Sequence, residues 1–242
     1  MNDARLTMGI LMAGIVAAML GAGTASAETL YEGDMQLIFT GGVELPFGQL
    51  YDLERDRTTV RRTAEYEDGT VANSEVKHTG LNWGVMGEYT LDEYFGIQAG
   101  VDYREVNQKI SAGGGNYEEA TYATGTLMSF VRPYVGASFY LYNENFLNVA
   151  LTGRAGTIVD GVLRPRITSY HYYNQAPDTA ALTGATLGGG VSVSYIVQSF
   201  VIGASFFATQ NFLHASKKVH DNLPEDFSVL SCDLTGYIGL RF

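Results

Sequence analysis

The 242-residue chain carries a formal charge of −11, with 29 Gly, 16 Tyr, 12 Phe and only 5 Pro. An acidic balance of this size argues against a nucleic-acid partner, which would need a basic surface to neutralise phosphates. The single cysteine, Cys232, leaves no intrachain disulfide to hold the fold, and abundant Gly and aromatics beside scarce Pro suit many strands joined by turns.

The chain opens with a predicted secretory signal over residues 1–27. Arg5 gives a weak positive flank, and Met8 to Leu20 is apolar but short for a bilayer span. Ala25-Ser26-Ala27 then supplies a small-x-small cleavage site. Residues 28–242 are expected to form one domain, exported from the cytoplasm.

After Leu30 the dominant signal is period-two alternation in eight segments. The first, Asp34 to Leu45, sets Met35, Leu37, Phe39 and Val43 against Gln36, Ile38, Thr40 and Glu44. The second, Thr79 to Leu91, sets Leu81, Trp83, Val85 and Tyr89 against Asn82, Gly84, Met86 and Glu88. The third, Phe95 to Val106, opposes Ile97, Val101 and Tyr103 to Gln98, Asp102 and Arg104. The fourth, about Thr124 to Tyr142, puts Leu127, Val131, Val135 and Phe139 outward and Phe130, Arg132, Tyr134 and Tyr140 inward. Phe146 to Asp160, Leu182 to Val197, Phe200 to Phe212 and Phe227 to Phe242 repeat the pattern.

The connections alternate short and long. Asp92-Glu93-Tyr94, Asn143-Glu144-Asn145 and Gln198-Ser199 are tight, whereas residues 46–78, 107–123, 161–181 and 213–226 are long. This asymmetry, with a last strand ending on Ile238, Leu240 and Phe242, resembles bacterial outer-membrane β-barrel proteins, whose assembly machinery reads such a terminal segment. The pattern is similar to the small eight-stranded barrels of the OmpA and OmpX type. The fold expectation is therefore all-β: a transmembrane antiparallel up-and-down barrel of eight strands, or ten if the first long loop re-enters the membrane. The resemblance implies a bacterial outer-membrane location, both chain ends periplasmic, and contact with outer-membrane lipid, lipopolysaccharide and the barrel assembly machinery.

Eight strands leave an interior just wide enough for side chains. The inward set holds Glu44, Glu88, Asp102 and Asp233 with Arg104, Arg132, Arg154 and Arg241, a balanced group expected to form a lumen ion-pair network. Such a network either plugs the barrel and fixes its register or gates a porin-like channel for small solutes and ions. Outward aromatics, among them Tyr89, Tyr94, Phe95, Phe146, Tyr195, Phe200 and Phe242, are expected to ring one membrane interface. Cys232 has outward parity and reads as a small apolar residue.

Function is expected in the external loops. In the first, Asp68-Gly69 is a hairpin turn signal that pairs Arg62 with Glu75 and makes a protruding arm. In the second, Gly113-Gly114-Gly115 reads as a linker and not a phosphate cradle. The third carries Tyr170, His171, Tyr172 and Tyr173, either a binding surface or an extended aromatic band. His78, His171, His214 and His220 all map to the external rim without metal-ligand spacing, so no metal or cofactor is assigned. His214-Ala215-Ser216 followed by Asp226 resembles the outer-membrane lipid A 3-O-deacylases. That resemblance implies His214 as base, Ser216 as nucleophile and Asp226 as the orienting acid on the lipid-facing side. Lys217-Lys218 departs from that family's usual residues after the Ser. The principal expectation is a filled barrel with a structural or surface-interaction role, adhesion or envelope contact; the esterase and the channel are the alternatives.

Overall fold

The computed structural model describes residues 29–48, 73–114, 117–144, 146–164, 179–217 and 224–242. The predicted signal, Arg62, Asp68-Gly69, Tyr170 to Tyr173 and His220 all lie outside the described residues.

Alternating side chains give each segment one apolar and one polar face, and the sheet buries the polar face by rolling up. Eight strands result: β1 (Met35–Gly48), β2 (Asn73–Thr90), β3 (Phe95–Gly114), β4 (Tyr117–Glu144), β5 (Leu147–Leu163), β6 (Ala180–Val197), β7 (Phe200–Ala215) and β8 (Asp226–Arg241). Each pairs antiparallel with its sequence neighbours, and β1 pairs with β8, so the barrel is closed. The count is eight among the described residues. Closure leaves no sheet edge, which a sheet in hydrocarbon requires because lipid cannot bond a free backbone N–H or C=O.

The short connections share one rim, here the turn end. Asp92 closes the first by accepting hydrogen bonds from the Tyr94 and Phe95 amides at 2.7 and 2.8 Å. The third has Gln198 at φ 53°, the left-handed conformation a two-residue hairpin demands. The opposite rim is the loop end.

Face by face, the parity follows the alternation. Gln36, Ile38 and Glu44 are buried while Met35, Leu37 and Phe39 are exposed, and the same split runs through β2, β3, β6, β7 and most of β8. Two departures are corrections. Leu127, expected outward, is fully buried in the lumen. It is the extra residue in a bulge where pairing jumps from Val106↔Met128 to Asn107↔Thr126, and a bulge shifts the parity of whatever follows. The connections expected over 46–78, 107–123, 161–181 and 213–226 are also too long. β1 runs to Gly48, β5 to Leu163 and β7 to Ala215, while β3 and β4 pair as far as Gly114↔Tyr117, so Gly113 and Gly114 are ladder residues rather than a linker. Period-two patterning in the sequence fades toward these ends although backbone pairing continues.

Candidate functional site: the lumen and the loop-end rim

The inward side chains sort into three levels. At the turn end Leu30, Tyr140, Ala150, Ile196 and Val201 form an apolar layer against which Tyr237 packs. Leu30 is drawn into it by Asn143. Asn143 Oδ1 accepts from the Leu30 amide and Asn143 Nδ2 donates to the Leu30 carbonyl, both at 3.1 Å. At the loop end a larger apolar layer includes Val106, Leu127, Met128, Phe130, Leu182 and Phe227. Polar and charged groups fill the level between.

Arg104 is the centre of that level. Asp233 accepts two hydrogen bonds from its guanidinium, at 2.8 and 2.6 Å, the bidentate geometry that fits Arg to a carboxylate. Glu44 lies 3.1 Å from Nη1 and Asp102 lies 3.5 Å from Nε. Arg132 donates to Asp102 from both Nε and Nη2. The pairing register explains the meeting: Glu44 is the direct partner of Asp233, and Asp102 of Arg132. Gly80 and Gly84 on β2 clear the space between them, since a Cβ at either would strike Glu44 or Asp102.

Three members of the expected network lie elsewhere. Glu88 accepts from the Tyr140 hydroxyl at 2.5 Å and from Gln98 Nε2 at 2.7 Å. Among the described residues Arg154 meets no carboxylate: its Nε donates to Gln98 Oε1 at 3.1 Å, and its guanidinium lies over the rings of Tyr134 and Phe207 at 4.8 and 4.2 Å. Arg241 pairs with Asp34 at 3.0 Å at the turn-end rim. The cause is cross-section: Arg154, on β5, reaches aromatic faces before it reaches the acids around Arg104, and a cation over a ring is well placed. Gln98 and Tyr140 are the polar hubs that charge-only reasoning passed over. A cavity of about 40 Å³ remains, lined by Glu88, Asp102, Arg104 and Asp233 among others, room for a few waters.

On the outside of the loop end, His214 and Asp226 are direct cross-strand partners, and His214 Nδ1 lies 2.8 Å from Asp226 Oδ1. Ser216 lies just past β7 and bonds to another strand. Its Oγ accepts from the Ala181 amide at 3.0 Å, while its own amide donates to Ala181 O at 2.9 Å. The structure thus joins the histidine and the acid and ties the serine to β6. Among the described residues no group of three or more His, Cys, Asp or Glu is placed to hold a metal ion. Burial pushes the His78 imidazole, above the apolar belt on β2, down to about 4, so it is neutral at pH 7.

The outer face decides the setting. Phe39, Trp83, Val135, Leu187, Phe206, Phe212 and Ile238 are all more than half exposed, and they come from β1, β2, β4, β6, β7 and β8. Water-soluble monomers rarely expose more than a few hundred Å² of contiguous apolar surface. This belt surrounds the barrel and is edged at the turn end by aromatics, with Phe95 against Phe139 and Phe146 against Tyr195 at centroid distances of 5.1 and 4.4 Å.

The chain is a membrane-spanning β-barrel.

No family model and no curated protein matches its sequence. Among solved structures the barrel is similar to Neisserial surface protein A (14% identity, 87% of this chain and 98% of that one, TM-score 0.47). It is also similar to Ail, the attachment invasion locus protein of Yersinia pestis, in complex with the heparin analogue sucrose octasulfate (11%, 87% and 99%, 0.44). A third is the outer membrane protein OprG from Pseudomonas aeruginosa (10%, 88% and 98%, 0.42). The barrel assignment rests on this chain's own closed ladder and apolar belt.

Proposed function

We propose that this barrel is a bacterial outer-membrane protein with a sealed lumen, whose work is done by the segments its strands carry beyond the bilayer. The observation that carries this is the lumen itself: apolar layers at both ends enclose an Arg104-centred ion cluster. A structural role, or surface contact such as adhesion, fits a filled barrel whose strands β3 and β4 extend to Gly114 and Tyr117, past the belt. In this reading residues 1–27 direct export by the general secretory route, both ends are periplasmic, and Ile238, Leu240 and Phe242 present the segment read by the assembly machinery. The belt contacts lipid and lipopolysaccharide, and residues Tyr170, His171, Tyr172 and Tyr173 would offer an aromatic contact surface.

Planar-bilayer recording tests the sealed lumen. The purified protein is expected to add no steady current in molar salt, because an ion would have to cross two apolar layers. Stable unitary openings would overturn the reading in favour of a gated channel.

A second reading has one observation behind it, the 2.8 Å contact of His214 with Asp226 at the loop-end rim. An esterase would use that pair to activate Ser216 against an acyl ester of the surrounding lipid. The bond from Ala181 to Ser216 Oγ weighs against it, since it stabilises the serine in a structural role. Incubation with lipid A and mass spectrometry separates the two. The structural reading expects no acyl release from wild type and unchanged folding in Ser216→Ala; release abolished by that substitution would establish the enzyme.

A further inference from the structure

The two apolar layers of the lumen are built differently. The loop-end layer consists of side chains carried by the strands themselves, among them Val106, Phe130, Leu182 and Phe227. In the turn-end layer Tyr140, Ala150, Ile196 and Val201 come from β4, β5, β6 and β7, but Leu30 precedes β1 and enters from outside the ladder. Leu30 is 2% exposed, whereas Tyr31 beside it is 61% exposed.

The residues that follow Leu30 explain how it is held. Tyr31 to Asp34 form a closed turn. The Asp34 amide donates to the Tyr31 carbonyl at 3.1 Å, and the Asp34 carboxylate accepts from the Tyr31 amide at 2.7 Å. Gly33, at φ 92°, supplies the left-handed third position for which such a turn favours glycine. The turn is fixed to the wall: the Gly33 amide donates to the Thr90 carbonyl and the Thr90 amide to the Asp34 carbonyl, both at 2.9 Å, and Asp34 pairs with Arg241. Leu30 projects from this fixed turn on a short arm, which Asn143 holds by its two hydrogen bonds. The burial of one leucine and two hydrogen bonds are comparable in size to the entropy lost in ordering the few residues that carry it. The seated and released arms are therefore close in free energy, while the strands are held by their ladders.

Behind Leu30 lies the polar cavity of about 40 Å³, whose wall includes Glu88, Asn148, Ser194 and Ser205. Asn148 is the direct cross-strand partner of Asn143 and is 4% exposed. Its Nδ2 has no hydrogen-bond partner among the described residues. Water ordinarily meets a buried donor of this kind, so the chamber needs a route by which to fill. The loop-end layer is built wholly from the wall, and the turn-end layer has one detachable member.

We propose that Leu30 is a removable stopper, and Asn143 its latch, at the mouth of a blind polar chamber: release of the arm admits water and small hydrophilic solutes from the turn end as far as the Arg104 cluster and no farther. This goes beyond the sealed-lumen reading and leaves it intact, because the loop-end layer still bars the path across.

The test uses the full chain in detergent micelles, with Cys232→Ala and one reporter cysteine. Ser205→Cys lies in the chamber wall, and Leu213→Cys lies in the loop-end layer. The probe is 2-aminoethyl methanethiosulfonate, a small cation suited to a chamber that Glu88, Asp102 and Asp233 line. Leu30→Ala is expected to speed modification of Ser205→Cys about tenfold or more, and Asn143→Ala severalfold, because each raises the released fraction. Glu32→Ala, in the exposed part of the turn, should leave that rate unchanged. Leu213→Cys should react slowly and at one rate in every background. Should Ser205→Cys fail to fold, Ser194→Cys on β6 gives the same comparison. A chamber rate indifferent to Leu30→Ala or to Asn143→Ala, or an acceleration shared by Leu213→Cys, would overturn the proposal. Leu30→Ala is also expected to pass no steady current in planar bilayers. A current in that variant and not in wild type would overturn the blind end of the chamber while leaving the sealed wild-type lumen standing.

Discussion

Arg104→Met is expected to cost the barrel about 3–5 kcal/mol, the range for breaking a buried ion pair from one side. Arg104 is 3% exposed and meets Glu44, Asp102 and Asp233. Without it, Asp102 keeps Arg132, but Glu44 and Asp233 remain as adjacent buried carboxylates on paired strands. Like charges in direct register repel, and neither can reach bulk water through the apolar layers. Arg104→Lys should recover only part of the loss, since one ammonium cannot reproduce the two-pronged contact with Asp233. Adding Glu44→Gln and Asp233→Asn to Arg104→Met removes the stranded charges and should restore most of the stability. Urea unfolding in detergent micelles, followed by the mobility difference between unheated and boiled samples, reads all three. A single variant as stable as wild type would mean that the cluster fills space without pairing.

Gly203→Ala is expected to be the next most damaging change, at about 1–3 kcal/mol for an overpacked site. Tyr237 on β8 lies across Gly203 on β7, its direct partner, and donates its hydroxyl to the Val193 carbonyl on β6 at 3.2 Å. A Cβ at Gly203 would stand 2.4 Å from that carbonyl oxygen and 2.5 Å from the tyrosine ring. The ring can swing aside only by giving up its hydrogen bond, and the carbonyl is fixed in the ladder. Gly153 is the control: it points outward with nothing within 4 Å of an added Cβ, so Gly153→Ala should stay within about 0.5 kcal/mol of wild type. The same unfolding measurement decides it. Tyr237→Ala in the Gly203→Ala background should lessen the loss without abolishing it, because the carbonyl contact remains. Equal effects at the two glycines would show that backbone freedom, rather than the space taken by Tyr237, governs both.

These two residues mark how far the lumen was readable before folding. Arg104 stands out in sequence as a charge on the inward parity of an alternating strand. Gly203 also has inward parity, but nothing local says that a tyrosine from the next strand will cover it. Arg154 illustrates the reverse. Its parity placed it among the ion pairs, and the fold sets it over the rings of Tyr134 and Phe207. The apolar layer at the loop end had a signal that could have been used: Val106, Phe130, Ile158, Leu182, Leu213 and Phe227 all occupy inward positions, where the alternation lower in the strands puts polar residues.

Alternation alone determined that the chain would be a two-faced sheet, and the rhythm of its turns and loops pointed to an up-and-down order of eight strands or ten, between which the closed ladder decided for eight. Both follow from chemistry repeated every second residue within a strand, which pairing cannot reverse without a bulge. The tertiary structure alone decided which inward groups meet, where Leu127 turns inward, and where bulges interrupt the ladders of β4 and β5. Those outcomes depend on the stagger between strands and on the closing of β1 against β8. Closure sets distances across the lumen between residues far apart in the chain, and no local pattern encodes them.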